Sequence, residues 1–411
     1  MPDQSQTKEY RMRRIALFMI ILALCAVTMV YASDWAQFLG LTANSISPEK
    51  IINKNWNSNP PKMLWKIKMS DGGYAGPSVA GNKVFIIDHI GAQDVVKALD
   101  IRTGKELWNF SYPDAEKANY GFARSTPVFN SDRVYITGRF GQIFCLNATN
   151  GKKIWMRDTL TDFGGKMPTW QYAASPLIDG NKLIFCPGGN NASMVALDKT
   201  TGKTLWKGGG SDLASYATPV IATINGTRQY VVFTGISVIG VDALKGTLLW
   251  SHTWRSGYDI NGASCIVTGN SVFITSGYGH GCALLQIVKN KVNVVWETKD
   301  MQCRFGSPIL INGNYYGVGE PGDLVCLDPK TGKSVWRQPG FEFGSIIAAD
   351  GTLLVLGGQS GNLHMAKITT AGYQELGKFT PLGGQSWTAP ILSNGNLIIR
   401  NKSTLACFSL K

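Results

Sequence analysis

Trp65, Trp108, Trp155, Trp206, Trp250, Trp296 and Trp336 stand 43, 47, 51, 44, 46 and 40 residues apart. One motif runs ahead of most of them, Leu-Asp-x-x-Thr-Gly-Lys-x-Leu-Trp. It is clearest at Leu99-Asp100…Thr103-Gly104-Lys105…Trp108, Leu146-Asn147…Gly151-Lys152…Trp155, Leu197-Asp198…Thr201-Gly202-Lys203…Trp206, Val241-Asp242…Gly246…Trp250 and Leu327-Asp328…Thr331-Gly332-Lys333…Trp336. A period near 45 residues is that of a stacked supersecondary unit, and a four-stranded propeller blade is the unit of that size. The repeat therefore overrides the two or three domains that 411 residues would otherwise suggest.

Within one repeat, Val84-Phe85-Ile86-Ile87 and Val95-Val96-Lys97-Ala98-Leu99 are apolar runs of strand length, separated by Gly91-Ala92-Gln93. They read as strands B and C of an A–B–C–D meander. The runs are nearly continuous, so both faces of each sheet are expected to be buried between neighbouring blades. In the Asp-x-x-Thr-Gly segment the Asp100 carboxylate can accept from backbone N–H groups two residues on, and Gly104 can take a positive φ. Five copies at one turn position point to turn geometry rather than catalysis, and the Trp is expected to fill the space between blades.

Strand A begins near Pro77, Pro127, Pro176, Pro219, Ser264, Pro308, Ser345 and Pro390, which counts eight blades. The eighth ends one strand short at Phe408-Ser409-Leu410-Lys411, and Lys62-Met63-Leu64-Trp65-Lys66-Ile67 has the character of the missing strand. The expected fold is all-β: an eight-bladed propeller of four-stranded antiparallel blades over residues 61–411, its last blade closed by an N-terminal strand. Closure removes two open sheet edges. Residues 33–60 form a lead-in segment.

Residues 1–32 read as a targeting segment. Lys8, Arg11, Arg13 and Arg14 precede the uncharged apolar run Ile15 to Val30, and Val30-Tyr31-Ala32 fits a small-x-small cleavage site. A cleaved signal peptide is expected, with an uncleaved anchor in the inner membrane as the alternative; either places the propeller outside the cytoplasm, periplasmic or secreted. Net charge is +13 over the whole chain. Residues 1–32 hold four basic and two acidic side chains, so the charge remains strongly positive after cleavage. That balance suggests anionic surroundings, and Lys83, Lys105, Arg133, Lys152, Lys182, Lys203 and Lys333 would gather on the bottom turns, where they suit a membrane surface or simply form a solvated rim. No nucleic-acid motif accompanies them. Cys145, Cys326 and Cys407 occupy the strand-C position held elsewhere by Ala98 and Ala196, so they read as small core residues. Cys186, Cys265, Cys282 and Cys303 leave a disulfide open in an oxidising compartment, and spacing assigns none. His89, His252, His280 and His364 fall on separate blades, and no metal site is expected.

These repeats resemble the pyrroloquinoline-quinone-like (PQQ-like) propeller family, which holds the quinoprotein alcohol dehydrogenases and the B component of the outer-membrane β-barrel assembly machinery. The residues that carry the resemblance are Ala98-Leu99-Asp100…Thr103-Gly104-Lys105-Glu106-Leu107-Trp108 and its copies. Asp34-Trp35-Ala36-Gln37-Phe38-Leu39-Gly40 is similar to the opening Asp-Trp-Pro-Gln-Phe-Arg-Gly of a group of secreted bacterial propellers. The chain departs from the dehydrogenases in having no adjacent Cys-Cys pair and no segment to which a calcium-ligand set or catalytic Asp transfers. It departs from the lipoprotein component in having Leu24 ahead of Cys25, where lipoprotein processing wants a small residue.

At or near three residues ahead of strand A, on the top rim of the channel, lie Tyr74, Arg124, Tyr172, Tyr216, Phe305, Phe343 and Trp387. They either face a funnel that takes a ligand or form a collar that packs blade against blade. The longest D–A loops, Asn109 to Ala123 and Met156 to Tyr172, share that face, as do Trp170, Trp254 and Tyr258. Arg139, Tyr278, His280 and Glu320 join them from B–C loops. No catalytic residue is assigned. The expected function is a non-catalytic exported propeller that binds a protein, peptide or anionic polymer at the cell envelope, without a cofactor. A PQQ-dependent oxidoreductase is the alternative, and a polysaccharide-binding module a third reading.

Overall fold

A computed structural model describes residues 34–50, 53–70, 72–117 and 120–411. The targeting segment expected over residues 1–32 lies outside the described residues. Eight antiparallel sheets follow one another along the chain. Blade 1 consists of Ser78–Ala80, Lys83–Ile90, Gln93–Asp100 and Glu106–Pro113, taken from the innermost strand A to the outermost strand D. Blade 8 takes its first three strands from Ile391–Ser393, Asn396–Arg400 and Thr404–Ser409, and its outer strand from Lys62–Lys68, with Trp65 opposite Cys407. A strand from ahead of the first blade thus joins the last three strands of the chain in one sheet, and the ring closes as the sequence implied.

Strands B and C are buried on both faces; in blade 1, every residue from Val84 to His89 is buried. Strand D alternates, with Trp108 and Tyr112 turned inward and Leu107 and Asn109 outward. The turn before it has the expected chemistry. Asp100 Oδ1 accepts from the N–H of Arg102 at 3.0 Å and of Thr103 at 2.9 Å. Asn147, Asp198 and Asp242 repeat the arrangement.

The turn glycine has a second duty. Trp108 lies against Gly151 of the following blade, where a Cβ would meet the indole at 2.5 Å, and its Nε1–H donates to the Ala148 carbonyl at 3.0 Å. Trp65 covers Gly104 in the same way, Trp155 covers Gly202, Trp206 covers Gly246 and Trp296 covers Gly332. Each Trp therefore clamps its own blade to the next. The turn of blade 5, Lys289-Asn290, has no glycine to receive Trp250, and that indole donates instead to Gln229 of its own blade. In blade 7, Gly377 occupies the Trp position. Trp56 of the N-terminal segment fills the vacancy; it is 1% exposed, and a Cβ on Gly377 would meet its Cβ at 2.9 Å.

All eight D strands also carry a bulge immediately before the clamp position. Leu64, Leu107, Ile154, Leu205, Leu249, Val295, Val335 and Leu376 have no cross-strand partner. Bulges twist a strand and break its pairing edge, so the exposed outer strand of each blade makes a poor template for another chain. The seven described cysteines are all buried and free, which resolves the disulfide left open among Cys186, Cys265, Cys282 and Cys303. Burial pushes Cys186 and Cys265 up to about 12, so these thiols stay protonated and unreactive.

Candidate functional site

Six of the eight A strands follow directly on a proline. Strand A is an innermost edge strand, where a missing N–H costs no ladder bond. A hydroxyl residue stands beside most of these starts and ties one blade to the next. Ser175 Oγ accepts from the Thr126 N–H, Thr218 Oγ1 from the Ser175 N–H, and Ser307 Oγ from the Ser264 N–H. Thr388 Oγ1 donates to the Tyr74 carbonyl, linking blade 8 to blade 1. This belt fixes the loops above it, and with them the residues around the channel mouth.

The channel holds a cavity of about 330 Å³. It is closed on the side of the A–B turns by the N-terminal segment. The Trp35 carbonyl accepts from the Val79 N–H at 2.9 Å and the Ala36 carbonyl from the Phe129 N–H at 2.8 Å. Ile46–Ser47 then runs parallel to strand A of blade 7, beside Ala348 and Ala349. Trp35, Phe38 and Leu39 face the cavity from this plug, which makes the channel a blind funnel. The similarity of Asp34–Gly40 to other propeller openings gave no hint of that role. Its residues now have reasons: Asp34 accepts from the Gly81 N–H, and Gly40 lies flat against the Trp35 indole.

Of the seven residues placed at or near the start of strand A by sequence, five, Tyr74, Arg124, Tyr216, Phe305 and Trp387, line the funnel, joined by Trp170 and Tyr278 from the loops. Tyr74 stacks on Trp387 with centroids 4.9 Å apart, and the Phe305 ring lies 4.8 Å from that indole. These three rings are thus at once wall and packing. Phe343 stands behind them, 6.3 Å from Phe305, and is not on the wall. Tyr172 is a correction to the funnel expectation. It is 1% exposed and packs between blades 2 and 3, against Phe185, with its hydroxyl donating to the Pro187 carbonyl. Trp254 is likewise buried, donating to Ser276 Oγ. Tyr258 is exposed at the rim with its ring edge on Tyr278.

Arg124 Nη1 donates to Gln171 Oε1 at 2.7 Å and Nη2 to the Gly121 carbonyl. Burial, then the like charge of Arg139, pull its pKa down to about 10, and it remains charged at neutral pH. Among the described residues it makes no ion pair with a carboxylate. Arg304, which sequence reasoning missed, also lines the wall. It pairs with Glu320 and lies between Tyr278 and Phe343, its guanidinium carbon 4.0 and 4.6 Å from the ring centroids. Nothing in the repeat pattern marks it, because no other blade has an arginine in that register. Arg139 is fully buried and paired with Asp114 away from the cavity, and His280 sits edge-on against Trp254.

Among the described residues, no Asp, Glu, Asn, Gln, His or Cys lines the funnel. Elsewhere His89, Asp94 and Asp114 bring one potential ligand atom each within 4.8 Å of one another. Their atoms are already engaged: His89 Nδ1 with Asp94, His89 Nε2 with the Gly91 carbonyl, Tyr112 with Asp94, and Asp114 with Arg139. The cluster is a hydrogen-bonded buried network joining blades 1 and 2, in which only Arg139 Nη1 lacks a partner. On the opposite face, Lys105, Lys152, Lys203 and Lys333 are exposed in C–D turns, whereas Arg133 donates to the Thr200 carbonyl of the next blade.

Residues 92–338, more than half of the chain, match the family described as outer membrane protein assembly factor BamB. The BamB of Yersinia pestis is 22% identical over 365 residues, covering 84% of this chain and 77% of that protein. A quinoprotein ethanol dehydrogenase of Pseudomonas aeruginosa is 24% identical over 184 residues, but these cover only 40% of this chain and 28% of that enzyme. The crystal structure of BamB from Moraxella catarrhalis superposes with a TM-score of 0.60 at 16% identity, over 84% of this chain and 97% of that one, a likeness of fold. The funnel does not fit a calcium-bound quinone: its described residues offer neither a carboxylate nor a side-chain amide oxygen to a hard cation, and the chain has no adjacent cysteine pair.

Proposed function

The chain belongs to the family of the outer membrane protein assembly factor BamB, and from that premise we propose that it is an exported, non-catalytic propeller that binds a protein partner during outer-membrane protein assembly. The observation that carries this reading is the top face. A rim of Tyr120, Met167 and Tyr258 is exposed around a funnel whose described lining residues carry no carboxylate, imidazole or thiol to act as base or nucleophile. Large, stiff aromatic side chains on rigidly held loops suit protein recognition at low entropic cost. Export rests on the targeting segment, and sequencing the N-terminus of the mature protein tests cleavage after Ala32. The exposed lysines of the C–D turns are proposed to set the opposite face towards an anionic surface, leaving the rim free.

Deleting the gene and measuring folded β-barrel proteins in the outer membrane tests the assembly reading. The expected result is a reduced level, restored by the parent chain and by Lys105→Glu/Lys203→Glu, but not by Tyr120→Ala/Tyr258→Ala. Unchanged barrel levels in the deletion strain would overturn the role. Full rescue by the rim variant would move the partner site off the top face.

A further inference from the structure

We propose that the blind funnel is a binding site for a free small aromatic carboxylate, its ring laid along the Tyr74–Trp387–Phe305 wall and its carboxylate on Arg124. This is a separate claim from partner binding and does not rest on it.

Charge inside the cavity is one-sided. Among the described residues two guanidinium groups and no carboxylate line it. Arg304 is neutralised by Glu320 behind the wall, but Arg124 is not neutralised among the described residues. The acid that acts on Arg124, Asp114, is held by Arg139, and Arg139 repels Arg124 more than Asp114 attracts it. A guanidinium has five N–H donors in a rigid planar fork that matches a carboxylate. Two of those on Arg124 are committed, to Gln171 and Gly121, and these bonds hold the group in place while leaving the remainder free. A fold that needed Arg124 only for stability would have given it an acidic partner, because an uncompensated, largely buried cation is costly.

The remaining features set the size and shape of the ligand. The wall is aromatic, with Tyr74 stacked on Trp387 and Phe305 packed close to the same indole, so the wall offers a flat apolar ring contact with a preformed, rigid aromatic cluster. Tyr216 stands beside Arg124, its hydroxyl accepting from the Trp170 N–H, and brings a polar edge to the same end of the cavity. A cavity of about 330 Å³ lies at the lower end of the range for small-molecule sites and suits one or two rings rather than a polymer. The plug of Trp35, Phe38 and Leu39 leaves a single mouth, so a threaded chain has no exit.

The probes are 2-naphthoate and its neutral isostere 2-naphthamide, titrated into the purified mature chain and read by tryptophan fluorescence and calorimetry. The acid should bind one to one and at least tenfold more tightly than the amide, and high salt should narrow the gap. Arg124→Met should lose at least tenfold in acid affinity with no fall in melting temperature, since it removes an uncompensated cation. Trp387→Leu should weaken acid and amide alike. The acid–amide comparison on the parent chain stands even if a variant fails to fold. Equal affinities, no saturable binding at millimolar acid, or undiminished binding in folded Arg124→Met would each overturn the site.

Discussion

Gly246 has φ +75°, and a Cβ there would meet the Trp206 indole at 2.5 Å. Two independent requirements fall on one residue, a left-handed backbone and a bare surface for a neighbouring ring. Gly246→Ala should therefore cost roughly 2–4 kcal/mol, combining the left-handed penalty with overpacking; a urea midpoint equal to the parent's would show that the clamp is slack. Burial of Asp94, with the like charge of Asp114, outweighs hydrogen bonds from His89 and Tyr112 and holds its pKa at about 6. A group whose folded pKa is raised contributes stability that is complete below its unfolded value, about 3.9, and is lost as pH rises through the folded one. Asparagine does not titrate, so the melting temperature of Asp94→Asn relative to the parent should rise between pH 4.5 and pH 7.5. A difference that stays constant over that range would mean that Asp94 is not the titrating group.

The outer strand is the element on which the repeat depends. In most blades its bulged aliphatic residue faces out and its next residue clamps the neighbouring blade, so two adjacent apolar positions in one motif have opposite fates. Leu107 is 48% exposed, whereas Trp108 is 8% exposed. Leu107→Lys should change stability by no more than about 0.5 kcal/mol. Where the outer strand lacks a Trp, in blade 7, the N-terminal segment repairs the gap. Trp56→Ala should cost about 3–5 kcal/mol, like truncation of any buried Trp, although Trp56 lies outside every repeat. Thermal melts of the two variants side by side check both statements; a Trp56→Ala chain as stable as Leu107→Lys would mean that blades 7 and 8 do not need the insert.

For the molecule as a whole, closure is the decisive event. Removing residues 1–68 takes away the plug, Trp56 and the outer strand of blade 8, leaving two unpaired sheet edges. That chain should aggregate, and its cysteines should become reactive to a thiol reagent, whereas the intact ring protects all seven described thiols. A soluble truncated chain with protected thiols would show that the ring closes without its N-terminus. The blade count, the strand order, the Asx turns and the closing strand were legible in the sequence because each is set by local chemistry repeated at a fixed period. Asp100 and Gly104 make the same turn wherever they recur, and Trp65 at the start of the chain has the same partners as Trp108. The funnel was legible only in part. Position ahead of strand A identified Tyr74, Arg124, Tyr216, Phe305 and Trp387, but could not separate them from Tyr172, whose ring enters the seam between blades. Arg304 and the plug of Trp35, Phe38 and Leu39 carried no periodic signal, since each occurs once and gains its meaning from residues hundreds of positions away. Sequence by itself determined the repeating unit and its number, through turn geometry and burial pattern. Only the tertiary structure decided that the channel is blind, aromatic and without acid, because that depends on which single side chains the closed ring brings face to face.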